Sequence, residues 1–369
     1  MKIAFDGKRF FSNASGLGNY SRDLVRILAT HFPQNQYIIL NKEQSERGKK
    51  ILEIPGVSFK KTSKGNFSRQ FKMGKDAQNA ECDIFHGLSG ELPLKWNEKP
   101  IKKIVTIHDL IFLRYPEYYS FFDRKIHFWK FKNAAKQADL IIAISEQTKK
   151  DIIKFLNVPE SKIRVVYQGC HHFFKENQTQ DFLNSVREKF NLPEKFILNV
   201  GTIEERKSLL NIVKAIKNTE IPLVVVGKKK DKYFNKIERF IEKNKLENQV
   251  YFLENVSMEE LAAIYKLAEI FVYPSVFEGF GIPVIEALFS GTAVITSNLS
   301  SLPEAGGKNS LYINPNNIDD LKSKILFLWN NESERKRRVE KGLLYAQKFS
   351  DENISNELMK VYKETISIL

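Results

Sequence analysis

Two carboxylates, Glu278 and Glu286, stand in the string Pro274-Ser275-Val276-Phe277-Glu278-Gly279-Phe280-Gly281-Ile282-Pro283-Val284-Ile285-Glu286-Ala287. The apolar run before it, at 269–273, predicts a buried strand. Gly279 and Gly281 allow the following loop, with Phe280 and Ile282, to bring its backbone close to a ligand. Pro283 suits the first turn of a helix, where its missing N–H costs nothing. The free N–H groups of a helix start can hold an anion, a phosphate above all. Glu278 in the loop and Glu286 one turn into the helix can both accept hydrogen bonds from hydroxyls. Together they suit a phosphate flanked by sugar hydroxyls. A plain strand–loop–helix turn with solvated glutamates would not require the whole string.

A second strand-to-turn segment carries cations: Asn199-Val200-Gly201-Thr202-Ile203-Glu204-Glu205-Arg206-Lys207. Arg206 offers a planar fork for phosphate oxygens and Lys207 a compact charge. A departing phosphate group gains negative charge as its bond breaks. Cations fixed at that point stabilise the transition state more than the ground state. A helix start more often carries acids, so the pair points to a ligand. The chain contains no Asp-x-Asp and no His/Cys cluster with zinc spacing, so no metal site is expected.

In the first half, Ser15-Gly16-Leu17-Gly18-Asn19-Tyr20 follows a strand and opens a helix. By themselves Gly16 and Gly18 fit either a tight turn or a ligand loop. Val105-Thr106-Ile107-His108-Asp109-Leu110 places His108 and Asp109 at a strand's carboxyl end, the edge where open α/β sheets bind ligands. His86 ends the preceding strand and is a second histidine candidate. Asn19, Tyr20, His86 and Asp109 are the acceptor-side candidates. Ser145 and Glu146 read as a helix cap.

These residues require a scaffold of alternating strands and helices. Strands are expected at 2–6, 36–41, 57–60, 83–86, 102–107, 139–144 and 163–166, then at 195–200, 222–226, 250–253, 269–273, 293–296 and 311–313. Helices are expected at 17–31, 66–79, 120–137 and 146–156, then at 208–218, 231–245, 257–266, 283–290, 317–330, 334–347 and 351–367. The unbroken run Leu223-Val224-Val225-Val226 fits a strand covered on both faces. Such alternation predicts parallel sheets built from βαβ units. A polar stretch near 168–194, containing Asn177, Gln178, Thr179, Gln180 and Asp181, marks a boundary. The expected domains are 1–170 and 171–350, with a last helix at 351–369 crossing back to the first.

The 369 residues suffice for two cores. No apolar run is long enough for a membrane span, no signal peptide is seen, and two distant cysteines fit a reducing cytosol. Residues 1–165 hold 30 Lys and Arg against 17 Asp and Glu; the rest hold 28 against 27. A one-sided basic excess suggests an anionic partner. Lys60, Lys61, Lys64, Arg69, Lys72 and Lys75 crowd one loop and helix. Phe121, Phe122, Arg124, Lys125, Phe128, Trp129, Lys130, Phe131 and Lys132 mix aromatics with cations. That mixture suits an anionic bilayer surface, or ordinary core packing. A nucleic-acid binder would use the same excess, but no recognition motif for one is present.

The Glu278 string resembles the retaining family 4 glycosyltransferases of the GT-B fold, whose Glu-x7-Glu motif in an E-G-F-G-x-P-x-x-E-A context is matched without gaps. The likeness continues through Gly291–Asn298 and Ser301–Gly307 and covers essentially the whole chain. It implies an α/β fold of two Rossmann-like, doubly wound parallel-sheet domains facing a central cleft, with acceptor on the first and nucleotide sugar on the second. It implies that Glu286 contacts the nucleotide ribose, and that Glu278 lies beside the transferred sugar and diphosphate. Arg206 and Lys207 would clamp the diphosphate, with Gly201, Gly279, Phe280, Gly281 and Ile282 lining the donor site. Gly16 and Gly18 would approach the diphosphate and acceptor, and His108 the transferred sugar. Ser208 departs from the family's frequent Asn. The family's reaction is a same-face substitution without a protein nucleophile, cofactor or metal. The string is most similar to that of bacterial mannosyltransferases, which implies GDP-mannose as donor and a saccharide or lipid-linked saccharide as acceptor in surface polysaccharide synthesis. UDP-glucose, UDP-N-acetylglucosamine or UDP-galactose transfer and a GT-B-type UDP-N-acetylglucosamine 2-epimerase remain alternatives. The expected location is the cytoplasm, or the inner face of its membrane.

Overall fold

A computed structural model describes residues 1–13, 16–65, 67–96, 100–229 and 231–368. Ser15 and Asn66, which belong to segments discussed above, lie outside the described residues. The chain divides into two compact units, Met1–Gly169 with Phe349–Leu369, and Cys170–Lys348.

The first unit is built on seven parallel strands: β1 (Lys2–Asp6), β2 (Gln36–Asn41), β3 (Val57–Lys61), β4 (Ile84–Gly87), β5 (Lys102–Ile107), β6 (Leu140–Ala143) and β7 (Ile163–Val165). Their order is β3-β2-β1-β4-β5-β6-β7. The chain winds outward from β1 to β3, then returns to β4 and winds the other way. Where the winding reverses, the carboxyl ends of neighbouring strands leave room for a ligand. His86 of β4 sits there, opposite Phe5 of β1 and Ile104 of β5.

Two helices cover one face of this sheet. Gly16–His31 buries Leu24, Val25, Ile27 and Leu28, spaced to form one helical face. Asp351–Ser367 starts at Ser350, whose hydroxyl accepts the Asn353 N–H, a cap of the usual kind. It buries Ile354, Leu358, Met359, Val361 and Tyr362 in the same core as Leu24 and Leu28. Burial of such side chains contributes roughly 2 kcal/mol each. Arg26 meets Asp351 at 2.7 Å. The chain's last helix is thereby a structural part of its first sheet.

The second unit has six parallel strands: β8 (Ile197–Val200), β9 (Leu223–Val226), β10 (Val250–Leu253), β11 (Ile270–Tyr273), β12 (Ala293–Ser297) and β13 (Leu311–Ile313). The order β10-β9-β8-β11-β12-β13 places its reversal between β8 and β11. Every residue of β8, β9 and β11 is buried, as strands with both faces covered must be.

Local differences from expectation have local causes. The polar stretch near 168–194 contains a helix, Gln180–Lys189, capped by the Thr179 hydroxyl on the Phe182 N–H. Only Leu183 and Val186 are buried on it, which leaves little apolar pattern to read. The helix expected at 66–79 is split into Ser68–Phe71 and Met73–Gln78. The helix expected at 146–156 is regular over Glu146–Asp151, capped by Ser145, and widens to a π turn over Ile152–Leu156.

Candidate active site

In the second unit, the carboxyl ends of β8 and β11 bring together residues some seventy positions apart. Tyr273 ends β11, and Glu278 follows it. Lys207 donates to Glu278 Oε1 at 2.8 Å, and Arg206 lies 2.8 Å from the same oxygen. Tyr273 and Ser275 donate their hydroxyls to it at 2.8 and 2.7 Å. Every hydrogen bond that the Glu278 side chain accepts from a described residue ends on Oε1. The loop backbone is fixed as well: Ser300 accepts the Glu278 N–H at 3.0 Å and donates to the Glu278 carbonyl at 2.8 Å. Ser301 Oγ lies 2.8 Å from the Phe280 carbonyl.

Electrostatics follow from this crowding. Burial alone would raise the Glu278 pKa, but the Lys207 and Arg206 charges and the Lys207 and Ser275 hydrogen bonds outweigh it and hold the carboxyl at about 2. Burial lowers the Lys207 ammonium, with Glu278 opposing. Its Nζ lies 4.7 Å from the Tyr273 ring centroid. Arg206 also contacts Glu204 at 2.6 Å and the Phe277 carbonyl. A carboxylate thus holds two cations together in a site that an incoming diphosphate can share.

Gly201 lies beside this cluster with φ of +135°, a conformation that side chains rarely adopt, and a Cβ there would stand 3.6 Å from Lys207 Nζ. Gly281 precedes the helix Ile282–Phe289, whose first turn no side chain caps. Glu286, one turn in, accepts only the Tyr265 hydroxyl among the described residues, at 3.0 Å. Burial raises its pKa to about 7, with that hydrogen bond and Lys207 pulling the other way. Among the described residues no group of His, Cys, Asp and Glu is placed to hold a metal ion.

In the first unit, His108 follows β5. Its Nε2–H donates to the Leu88 carbonyl at 2.9 Å, so Nδ1 accepts from the Gln168 amide, also at 2.9 Å. Burial lowers its pKa to about 4, which keeps it neutral at pH 7. The Tyr20 ring meets it edge-on at 4.6 Å, and the Tyr20 hydroxyl pairs with Thr106 at 3.1 Å. Gly18 lets its helix approach Asn13; a Cβ there would come within 2.0 Å of the Asn13 carbonyl oxygen. Gly16 meets no such restriction. Asn19 accepts from Arg22 at 2.7 Å, and Asp109 from the Ile111 N–H at 3.1 Å.

A family model described as glycosyl transferases group 1 matches residues 182–361, and one for glycosyltransferase family 4 matches 14–172. An uncharacterized glycosyltransferase of Methanocaldococcus jannaschii is 30% identical, over 80% of this chain and 79% of that one. This chain belongs to the family 4 glycosyltransferases. O-antigen chain mannosyltransferase B of Escherichia coli is 26% identical over 98% of this chain and all of its own length. A crystal structure of Anabaena HepE in complex with UDP-glucose has a TM-score of 0.76 at 16% identity, covering 99% of this chain and all of that one.

In this nucleotide-sugar-dependent glycosyltransferase several readings of the sequence need correction. His86 is fully buried, with Nδ1 against Tyr362 at 2.9 Å and Nε2 against Thr106 at 2.8 Å, because the last helix covers that strand end. Burial lowers its pKa to about 3, so it is a neutral core residue and not an acceptor contact. The Phe280 side chain is buried, so only its backbone can face a donor. Arg69 is no free surface cation: it bridges Asp6 at 2.7 Å and Glu91 at 2.5 Å. Ser208 provides no cap and has a left-handed backbone, which Asn adopts more readily than Ser. The aromatics of 121–131 divide: Phe128 and Phe131 pack on the core, whereas Phe121, Phe122 and Trp129 are exposed.

Residues missed in the sequence are the partners that hold the candidates: Tyr273 and Ser275 on Glu278, Tyr265 on Glu286, Gln168 on His108. Tyr273 and Ser275 adjoin the motif and could have been suspected. Tyr265 and Gln168 lie too far along the chain from their partners to signal the pairing.

Proposed function

We propose that this glycosyltransferase moves mannose from GDP-mannose, with retention, to a saccharide hydroxyl in surface polysaccharide synthesis. The observation that carries the reading is the convergence of Arg206, Lys207, Tyr273 and Ser275 on one oxygen of Glu278 at the β8/β11 reversal. The second unit would take the donor and the first the acceptor. As the bond from the anomeric carbon to the β-phosphate oxygen breaks, that oxygen takes the electron pair. Arg206, Lys207 and the uncapped helix start at Ile282 would stabilise the charge, without a metal. The acceptor hydroxyl bonds to the anomeric carbon from the same face and gives its proton to the departing phosphate. No protein base is needed, which fits a His108 whose two ring nitrogens are already engaged. Glu286 would accept ribose hydroxyls.

Mannose is supported by the likeness to the E. coli O-antigen mannosyltransferase, which spans nearly the whole chain. A UDP-sugar is the second reading, favoured by the likeness to HepE, whose structure holds UDP-glucose. Among the described residues no helix is long and apolar enough to cross a membrane. We read the exposed Phe122, Ile126 and Trp129, one face of the helix Phe121–Gln137 with Lys125 and Lys132 beside them, as a surface for an anionic bilayer. A thermal-shift series with GDP-, UDP- and ADP-sugars tests the donor, because a ligand that binds only the native state raises its melting point. GDP-mannose should give the largest shift; a larger shift with a UDP- or ADP-sugar would refute that assignment.

A further inference from the structure

The first unit contains a second feature at the carboxyl edge of its sheet, away from His108. A cavity of about 700 Å³ opens beyond the ends of β1, β2 and β3. Its lining includes Lys8 after β1, Lys42 after β2, Thr62 after β3, and Arg47 of the helix Glu46–Leu52. None of the three cations forms an ion pair with a described residue. Lys42 donates to the Gly65 carbonyl at 3.0 Å, and Arg47 reaches only the Ser12 carbonyl among the described residues, at 3.5 Å. Three segments of chain therefore bring like charges to one wall, with Arg69 a further cation and Glu43 the one acid among the described lining residues. The two carboxylates whose charge reaches Lys8, Asp6 and Glu91, are already taken by Arg69.

A second observation points the same way. Ser68 belongs to the cavity wall and is 3% exposed, and its hydroxyl, itself enclosed, has no hydrogen-bond partner among the described residues. Buried hydroxyls are nearly always paired, and an exception asks for a ligand or water. Phe67, 70% exposed, adds an aromatic face to the same wall, of the kind that covers the apolar side of a pyranose. The volume lies in the range of small-molecule sites.

We propose that this cavity binds the phosphate of a phosphorylated saccharide acceptor, with Lys8, Lys42 and Arg47 as its counter-charges. The proposal rests on the reading of the first unit as the acceptor side. The shared chemistry is a phosphate ester on a sugar, whether a free sugar phosphate or a saccharide on a lipid diphosphate.

Calorimetric titration of the full chain tests it, with GDP at saturation so that Arg206 and Lys207 are occupied. The probes are mannose 1-phosphate, farnesyl-diphosphate-linked N-acetylglucosamine and, as the neutral control, methyl α-mannoside. At least one phosphorylated probe should bind about tenfold or more tighter than the control, and whichever binds tighter identifies the source. The double variant Lys42→Ala/Arg47→Ala, at two exposed positions, should lose that advantage while its GDP affinity stays at the wild-type value. Equal affinity for charged and neutral probes, or an unchanged advantage in the variant, would overturn the proposal. Failure of GDP to bind at all would instead strike at the donor reading.

Discussion

Replacing Glu278 with Gln keeps the size of the side chain and removes the charge that holds Arg206 and Lys207 together. The carboxyl sits at about 2 against an ordinary 4.5. That difference corresponds to about 3 kcal/mol of preference for the ionised form in the fold. The side chain is 14% exposed, so solvent screening takes little of it. At pH 7 Glu278→Gln should therefore lose about 3 kcal/mol. For a unit of this size that is roughly 6–12 °C in melting temperature. Because the folded pKa lies below the unfolded one, the wild-type advantage is complete above pH 4.5 and shrinks as pH falls toward 2. The same variant leaves two cations without their carboxylate, so GDP should bind more tightly while sugar transfer falls. Thermal melts at pH 7 and pH 3.5, with GDP calorimetry, read all of this. A variant as stable as wild type at pH 7, or a stability gap that is undiminished at pH 3.5, would refute the electrostatic reasoning.

The remaining predictions concern neighbouring groups. With Glu286 at about 7, donor affinity should rise about tenfold from pH 6 to pH 8 as the ribose acceptor ionises. Glu286→Gln should bind weakly at both; its stability cost runs oppositely to that of Glu278, since a raised carboxyl contributes less as pH rises from 4.5 to 7. Lys207→Met should lower kcat by about 10²–10³, the cost of removing one fixed stabiliser of developing charge, with the fold retained by circular dichroism. Phe122→Ser/Trp129→Ser should reduce sedimentation with phosphatidylglycerol vesicles without changing turnover of a soluble acceptor; wild-type-like sedimentation would remove the bilayer reading.

Much of this architecture is written in short-range pattern. Runs such as Leu223–Val226 are unbroken because both faces of β9 are covered, and the strand positions follow directly from them. The helix Gln180–Lys189 escaped because two buried residues make too thin an apolar stripe, and its cap, Thr179, reads equally well as linker. In the site, the Gly-rich strings mark the places where backbone must turn tightly, which local sequence encodes. Which side chain finishes on which oxygen is set by the order of strands. His86 lies near the carboxyl end of β4 as His108 lies just past that of β5, yet Tyr362, 276 positions on, closes over it. Arg69 lies among lysines in sequence but faces two carboxylates supplied by other segments. Such pairings depend on topology and are not visible in any window of residues.

The central claim is that cations and a helix start, arranged around Glu278, drive sugar transfer from a nucleotide without a metal. Proton NMR of GDP-mannose with the full chain, a phosphorylated saccharide and excess EDTA observes it directly. The account predicts loss of the donor's anomeric signal with growth of an α-mannoside and free GDP. A β-mannoside, or transfer that stops with EDTA and returns only with a divalent cation, would contradict it.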